Sequence, residues 1–267
     1  MTEHEEIEYH ETLITMLEII WGEGFLSPGG AEEVALLLAG EDIKDKKVID
    51  IGCGIGGIDV LLVRDYGAGS VVGVDIEQPV LDHSVARAEN EGLSDRVTYQ
   101  LVEPGPLPFE PDSFDVVFSK DAMIHIPDKE SLFDDVYRIL KPGGLFVASD
   151  WMRRDENPPS PEMVHYIKSE GLSYGMGSPE RYEKSLAKTG FVDIKLRDRN
   201  AWYSVLSREE YQQMKGPLYP QMEATLGREN ADRYVEVWRA MNVVLESGEL
   251  RPGHLRAKKP EKNLHDS

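Results

Sequence analysis

An apolar, β-branched run, Lys47–Ile51, leads straight into Gly52-Cys53-Gly54-Ile55-Gly56-Gly57, and a helix-like stretch follows from Ile58 to Tyr66. Few folds accommodate this order. Glycine permits a tight turn and lets backbone amides come close to a ligand. The helix behind the loop offers unpaired N–H groups in its first turn. Ser70–Ile76 reads as the next strand, and Asp75 near its end lies 21 residues beyond Gly54. An acid at that distance, at the carboxyl end of the second strand, is placed to accept both hydroxyls of a ribose. Strand, glycine loop, helix, strand and acid in this order point to an adenosine-type ligand. No Gly-Lys-Ser/Thr is present to cradle a triphosphate.

The alternation continues. A helix is predicted from about Pro79 to Glu91, strands over Val97–Val102 and Phe114–Ser119, and a helix from about Lys129 to Leu140. Lys141-Pro142-Gly143-Gly144 reads as an abrupt stop before a fifth strand, Leu145–Ser149. Ser178-Pro179 opens a helix that ends before Gly190, and Val192–Arg197 is a sixth strand. Such alternation implies an α/β fold, a doubly wound and mainly parallel sheet. Residues 201–249 read as helices interrupted by Pro217 and Pro220, a helical cap inserted before a last strand, His254–Lys258, taken as antiparallel. Ahead of the sheet, Leu13, Met16, Leu17, Ile20 and Trp21 recur at helical steps, and Ser27-Pro28 reads as a cap and first position of a second helix. Residues 1–46 are therefore expected to form an N-terminal helical lid on a domain spanning 47–267.

Charge and cysteine count narrow the function. Lys and Arg number 29 against 49 Asp and Glu, a net charge of −20, which repels a polyanion at long range and favours a small cation over nucleic acid. The one cysteine, Cys53, leaves no disulfide framework and no cysteine-based zinc site within a chain. No metal site is expected. The acidic start, Met1-Thr2-Glu3-His4-Glu5-Glu6, lacks the basic and apolar regions of a secretory signal, and no apolar run is long enough to span a bilayer. A cytoplasmic protein without a membrane partner is expected.

Asp50-Ile51-Gly52-Cys53-Gly54-x-Gly56-Gly57, the acid Asp75, the run Leu107-Pro108-Phe109 with Ser113-Phe114-Asp115-Val116-Val117, and Lys141-Pro142-Gly143-Gly144 together resemble the class I S-adenosylmethionine methyltransferases. The resemblance covers about Lys47 to Asp150. It implies S-adenosylmethionine as cofactor. Gly52, Gly54 and Gly56 would line its methionine part, with Asp50 and Ser27 joining the binding set. Asp75 would hold the ribose and Ile76 flank the adenine. Glu103 stands where the family commonly has an Asp for the adenine amino group.

Methyl transfer from a sulfonium is an in-line displacement, so alignment and desolvation of the acceptor are the main tasks. An amine acceptor must also lose a proton. Asp121 and His125, four residues apart after the fourth strand, would share one face of a helical turn. A carboxylate can bind an ammonium, and an imidazole can titrate near neutrality. Lys120-Asp121-Ala122-Met123-Ile124-His125, with Trp21-Gly22-Glu23-Gly24-Phe25-Leu26-Ser27-Pro28-Gly29-Gly30, resembles the phosphoethanolamine N-methyltransferases. In that family an Asp and a His four residues later contact the amine, and a Tyr twelve residues before the aromatic-Gly-Glu element pairs with the His. Tyr9 occupies that place here. Trp151 and Tyr166 match the family's substrate-binding aromatics, and an aromatic surround suits a methylated ammonium. The family's phosphate-gripping Arg and Lys fall by counting on Glu170 and near Met241. Tyr174-Gly175-Met176-Gly177-Ser178 and the Asp121–His125 element are more weakly similar to the sarcosine and dimethylglycine N-methyltransferases.

The expected protein is a methyltransferase of a small-molecule amine, with Tyr9, Asp121 and His125 as catalytic residues. Within that class a sarcosine-type, oxygen or sulfur acceptor is the alternative. A rival of another class is a non-catalytic cofactor-binding protein, which would need the glycine loop and Asp75 but not Tyr9, Asp121 and His125 together.

Overall fold

The computed structural model describes residues 8–262. Seven strands form one sheet: β1 (Lys47–Ile51), β2 (Ser70–Asp75), β3 (Val97–Leu101), β4 (Phe114–Lys120), β5 (Leu140–Arg153), β6 (Val192–Asp198) and β7 (Leu250–Lys258). Their order is β3-β2-β1-β4-β5-β7-β6. Pairing is parallel from β3 through β5, whereas β7 runs antiparallel to both β5 and β6. Side chains alternate between the two faces. Val48, Val116, Phe118 and Val147 pack under α2 (Gly30–Leu38), α3 (Gly57–Arg64) and α4 (Gln78–Asn90). Ile49, Val117 and Phe146 pack under α5 (Lys129–Ile139) and α7 (Pro179–Thr189) with Phe133, Val136 and Leu186. Both faces are covered, which is why these strands are apolar at nearly every position. No helix among the described residues is long and apolar enough to cross a membrane.

A third core lies beyond the sheet. It joins Met16 and Leu17 of α1 (Glu11–Trp21), Met163 and Tyr166 of α6 (Pro161–Glu170), and side chains of α8 (Asn200–Met214), α9 (Tyr219–Leu226) and α10 (Arg228–Glu246) to Ile124 and Trp151. The 201–249 stretch thus packs over the carboxyl ends of β4 and β5. The crevice between β1 and β4, where strand order reverses, opens beside it. Glu33 of α2, His254 of β7 and Arg199 form a buried cluster that ties early and late parts of the chain: His254 Nε2 lies 2.7 Å from one Glu33 oxygen, and Arg199 donates to both. Hydrogen bonds from His254 and Arg199 hold Glu33 below the usual carboxylate range despite its burial.

Three local expectations are corrected. Helix α2 begins at Gly30 behind a left-handed Gly29 (φ 82°), so Ser27 is no cap and Pro28 no first helical residue. Ser27 Oγ accepts from Lys120 Nζ at 2.6 Å instead. Lys141–Gly144 does not precede the fifth strand but lies inside it: Leu140 already pairs with Phe114, and a register shift absorbs the turn. Helix α6 was not anticipated, although Ser160 caps it and Pro161 opens it as Ser178 and Pro179 do for α7.

Candidate active site

A cavity of ≈ 990 Å³ runs along the crevice, walled by Ile51 to Ile55, Val74 to Glu77, Val102 to Leu107 and Lys120 to Ala122. Its volume falls within the span of sites that enclose a drug-sized ligand. Gly52 (φ 73°) has no alternative, since a Cβ there would stand 2.2 Å from the Ala122 Cβ. From α4, Ser84 Oγ donates to Gly54 O and Arg87 Nε donates to Ile55 O at 3.0 Å, which fixes the loop backbone from behind. The Gly54 and Glu77 amides donate to the two Asp75 oxygens, at 3.0 and 3.1 Å. Each oxygen keeps acceptor capacity for the cavity. Desolvation pushes Asp75 up to about 6, against the pull of those amides. Ile76 is 54% exposed and faces the same space, an apolar surface that a planar ring would cover. Glu103 stands in this wall too.

A smaller cavity of ≈ 40 Å³ adjoins the first, lined by Trp21, Trp151, Tyr166, Glu170, Tyr174 and Tyr203 among others. Tyr9, Leu26, Ser27, Asp121 and His125 line both cavities and so form the passage between them. Asp121 adopts a left-handed backbone (φ 59°), a conformation that Asp tolerates better than most residues. Its Oδ1 accepts from Ser149 Oγ and its Oδ2 from Lys120 Nζ, both at 2.8 Å. Lys120 Nζ also donates to Ser27 Oγ and Pro28 O, so its three donors are all engaged.

His125 closes a short 3₁₀ turn, Met123–His125. Asp150 accepts from the Ile124 amide at 2.8 Å, Tyr182 donates to its other oxygen, and the buried Lys129 ammonium donates to the Met123 and Ile126 carbonyls. Asp121 therefore precedes the turn, and the expected shared helical face is replaced by two conformations converging on one passage. His125 Nδ1 lies 2.8 Å from Ser173 O. A carbonyl only accepts, so Nδ1 carries the proton, and Nε2 accepts from the Tyr9 hydroxyl at 3.2 Å. Burial lowers the His125 pKa, opposed by the Ser173 carbonyl and Glu8. Burial, together with Glu170, Asp75, Glu8 and Glu77, pushes the Tyr9 phenol up.

The N-terminal segment is pinned across both cavities. The Glu8 and Tyr9 amides donate to the Glu77 carboxylate at 2.8 and 3.0 Å, and Glu8 accepts from the Ser173 amide at 3.1 Å. Residues 1–7 of the expected lid lie outside the described residues. Trp151 packs edge-on against Tyr203, with ring centroids 4.8 Å apart. Glu210 accepts from both the Trp21 and Trp238 indoles, at 2.9 and 2.8 Å, orienting two walls of the smaller cavity.

Most of the residues singled out in the sequence thus meet at these two cavities: Gly52, Gly54, Asp75, Ile76 and Glu103 in the larger, Trp151 and Tyr166 in the smaller, and Ser27, Tyr9, Asp121 and His125 between them. Asp50 and Gly56 stand behind the wall. Asp50 is buried beside Asp59 and Tyr99, and its Oδ1 has no hydrogen-bond partner. Burial and the neighbouring carboxyl push Asp50 up, and burial pushes Asp59 up to about 7. Glu8 and Tyr203 in the lining, and Glu210 behind it, are residues that sequence reasoning passed over, and Tyr174 entered it only as part of a run of weak similarity. Tyr174 carried a usable signal, lying within the glycine-rich run Gly171–Gly177 after α6.

Residues 42–209 match the model of a family described as a methyltransferase domain. Over 254 residues the chain is 32% identical to phosphoethanolamine N-methyltransferase 1 of Triticum aestivum, taking in 93% of this chain and 49% of that protein. It is similar to the solved structure of Haemonchus contortus phosphoethanolamine N-methyltransferase 2 in complex with phosphomonomethylethanolamine and S-adenosylhomocysteine, at TM-score 0.88 and 28% identity, over 96% of this chain and 60% of that one. A second structure of that enzyme, in complex with S-adenosyl-L-methionine, gives TM-score 0.85 and 29% identity, over 96% and 59%. The chain spans about half the length of the curated relatives it matches. The matched stretch runs from just before β1 into α8 and carries the glycine loop, Asp75, Asp121 and His125, and by this match the chain belongs to the methyltransferase domain family.

Proposed function

We propose that the chain methylates the nitrogen of a small amine, using S-adenosylmethionine held in the larger cavity. One observation carries the reading: a ligand-sized crevice with a ribose-type acid opens into a small aromatic cavity through a passage lined by Tyr9, Asp121 and His125. When bound, the cofactor supplies an electrophilic methyl group on a sulfonium. Asp75 accepts the ribose hydroxyls, Ile76 and Glu103 flank the adenine end, and Gly52, Gly54 and Ser27 border the methionine end. Asp50 and Gly56 support that loop from behind.

Asp121 holds the acceptor's ammonium at the passage, its own orientation fixed by Lys120 and Ser149. The Tyr9 oxygen takes a proton from the nitrogen as its own proton moves to His125 Nε2. The resulting imidazolium is stabilised by Glu8, whose carboxylate lies 3.5 Å from Nδ1, and by the Ser173 carbonyl. A lowered imidazole pKa keeps His125 ready to accept at neutral pH. Trp151 and Tyr166 face the nitrogen as it gains methyl groups. The segment carrying Glu8 and Tyr9 acts as the lid. A small cation, rather than nucleic acid or a membrane, fits the −20 charge.

Sinefungin-sensitive methylation, read by mass against ethanolamine, phosphoethanolamine, aminoethylphosphonate, glycine, sarcosine and dimethylglycine, tests this. Turnover with at least one amine is expected. Tight S-adenosylhomocysteine binding without turnover of any amine would favour the non-catalytic alternative.

A further inference from the structure

The smaller cavity carries two carboxyl groups, Asp121 and Glu170, and among the described residues no Lys or Arg lines it. Asp121 sits at the passage, whereas Glu170, the last residue of α6, borders only the smaller cavity and so marks its far side. The nearby cations are engaged elsewhere. Lys120 donates to Ser27, Pro28 and Asp121. Arg233 reaches the Glu170 backbone carbonyl at 2.9 Å from outside the cavity wall. Arg181 is paired with Glu130, and Arg251 with Asp198. An anionic tail would therefore face Glu170 with no Lys or Arg among the described lining residues to pair with it. The ≈ 40 Å³ volume holds about three waters, which suits an acceptor of few non-hydrogen atoms.

We propose that Glu170 sets the class of acceptor: an amine whose far end donates a hydrogen bond, a hydroxyl or a second ammonium, and not a phosphate or carboxylate. This rests on the N-methylation reading above. With the reacting nitrogen at Asp121, the tail lies along Tyr166 and Tyr174 and ends on the Glu170 carboxyl. Desolvation raises Glu170 to about 7, opposed by Tyr174 and by the charge of Arg233, and a donor or a cation arriving at this carboxyl is favoured over an anion.

The test uses the full chain with saturating S-adenosylmethionine. Ethanolamine and 1,2-diaminoethane represent the proposed class; phosphoethanolamine, glycine and sarcosine represent anionic tails. The first pair should exceed the others in kcat/KM by about 100-fold or more. Glu170→Leu should raise KM for both by about tenfold or more with little change in kcat, the pattern of lost uniform binding. Glu170→Gln keeps an acceptor oxygen but no charge, so it should raise KM for 1,2-diaminoethane more than for ethanolamine. Glu170→Lys should move the preference toward phosphoethanolamine. Calorimetric S-adenosylhomocysteine binding checks that each variant is folded, and the wild-type ranking decides even where a variant is not. Phosphoethanolamine or a carboxylate amine ranking highest overturns this inference and leaves N-methylation standing. So does an unchanged KM in Glu170→Leu. If no amine turns over, the N-methylation reading falls and takes this inference with it.

Discussion

His125 shows how one side chain can be held in the protonation state that its proposed role as a base requires. Its Nδ1 proton is committed to Ser173, and burial keeps the ring neutral, while Glu8, Tyr9, Tyr174 and Lys129 surround it. His125→Ala should lower single-turnover methylation by roughly 10²–10⁴-fold, the span for losing a general base, while cofactor affinity changes little. Raising the pH should restore part of the loss as more amine arrives neutral. In the wild type, the rate should fall as pH drops through the His125 pKa, below the ordinary 6.5, because a protonated Nε2 cannot accept. At Asp75 the expectation concerns affinity. Asp75→Ala removes acceptors of charge-assisted hydrogen bonds, about 1.5–3 kcal/mol each, and calorimetry should show the loss. Wild-type affinity should also weaken as pH falls through about 6, where the carboxylate gains a proton. That Gly52, Asp75 and Asp121 line the crevice was legible because each sits in a local pattern at the carboxyl end of a strand. Glu210 was not: its bond to Trp21 joins positions 189 apart, and nothing in the neighbourhood of either residue announces it.

At the level of elements, the segment bearing Glu8 and Tyr9 is the one most exposed to test. Two of its backbone amides hang on the Glu77 carboxylate, next to Asp75, the proposed ribose acid. Glu77→Ala should speed cofactor dissociation about tenfold, the kinetic equivalent of about 1.4 kcal/mol, as read by stopped-flow release of S-adenosylhomocysteine. An unchanged off-rate would show that this segment does not act as a lid. Strands β1, β2 and β4 were readable to within a residue because parallel strands covered on both faces are bounded apolar runs. The start of α2 misled because Ser27-Pro28 has the chemistry of a helix start, while a tertiary partner, Lys120, claims the serine. Strand β5 starts ahead of the expected Leu145 because the sheet absorbs the glycine turn as an irregularity, and it continues past Ser149 to Arg153 because β7 pairs with it there.

Across the whole molecule, a net charge of −20 opposes compactness. The melting temperature should rise as salt is raised from about 0.01 to 1 M, since the screening length shrinks from about 30 to 3 Å. Over the same range kcat/KM for a cationic amine should fall as long-range attraction is screened, while kcat holds. A melting temperature indifferent to salt would mean that the 49 acids are already compensated locally. The doubly wound sheet was evident from the order of elements and the last strand was expected to be antiparallel, but no local pattern indicates that β7 lies between β5 and β6. That placement dictates a sequence of events during synthesis. Among the described residues strand β6 pairs only with β7, and β7 is the only strand on the far edge of β5, so both remain open until the polymer has been made past Lys258. From the completion of β6 at Asp198 until β7 is made, the nascent chain therefore carries two unpaired strand edges, and aggregation is the hazard of that interval. A chain ended at Glu246 should collect in the insoluble fraction and be rescued by a separately supplied peptide spanning residues 247–262.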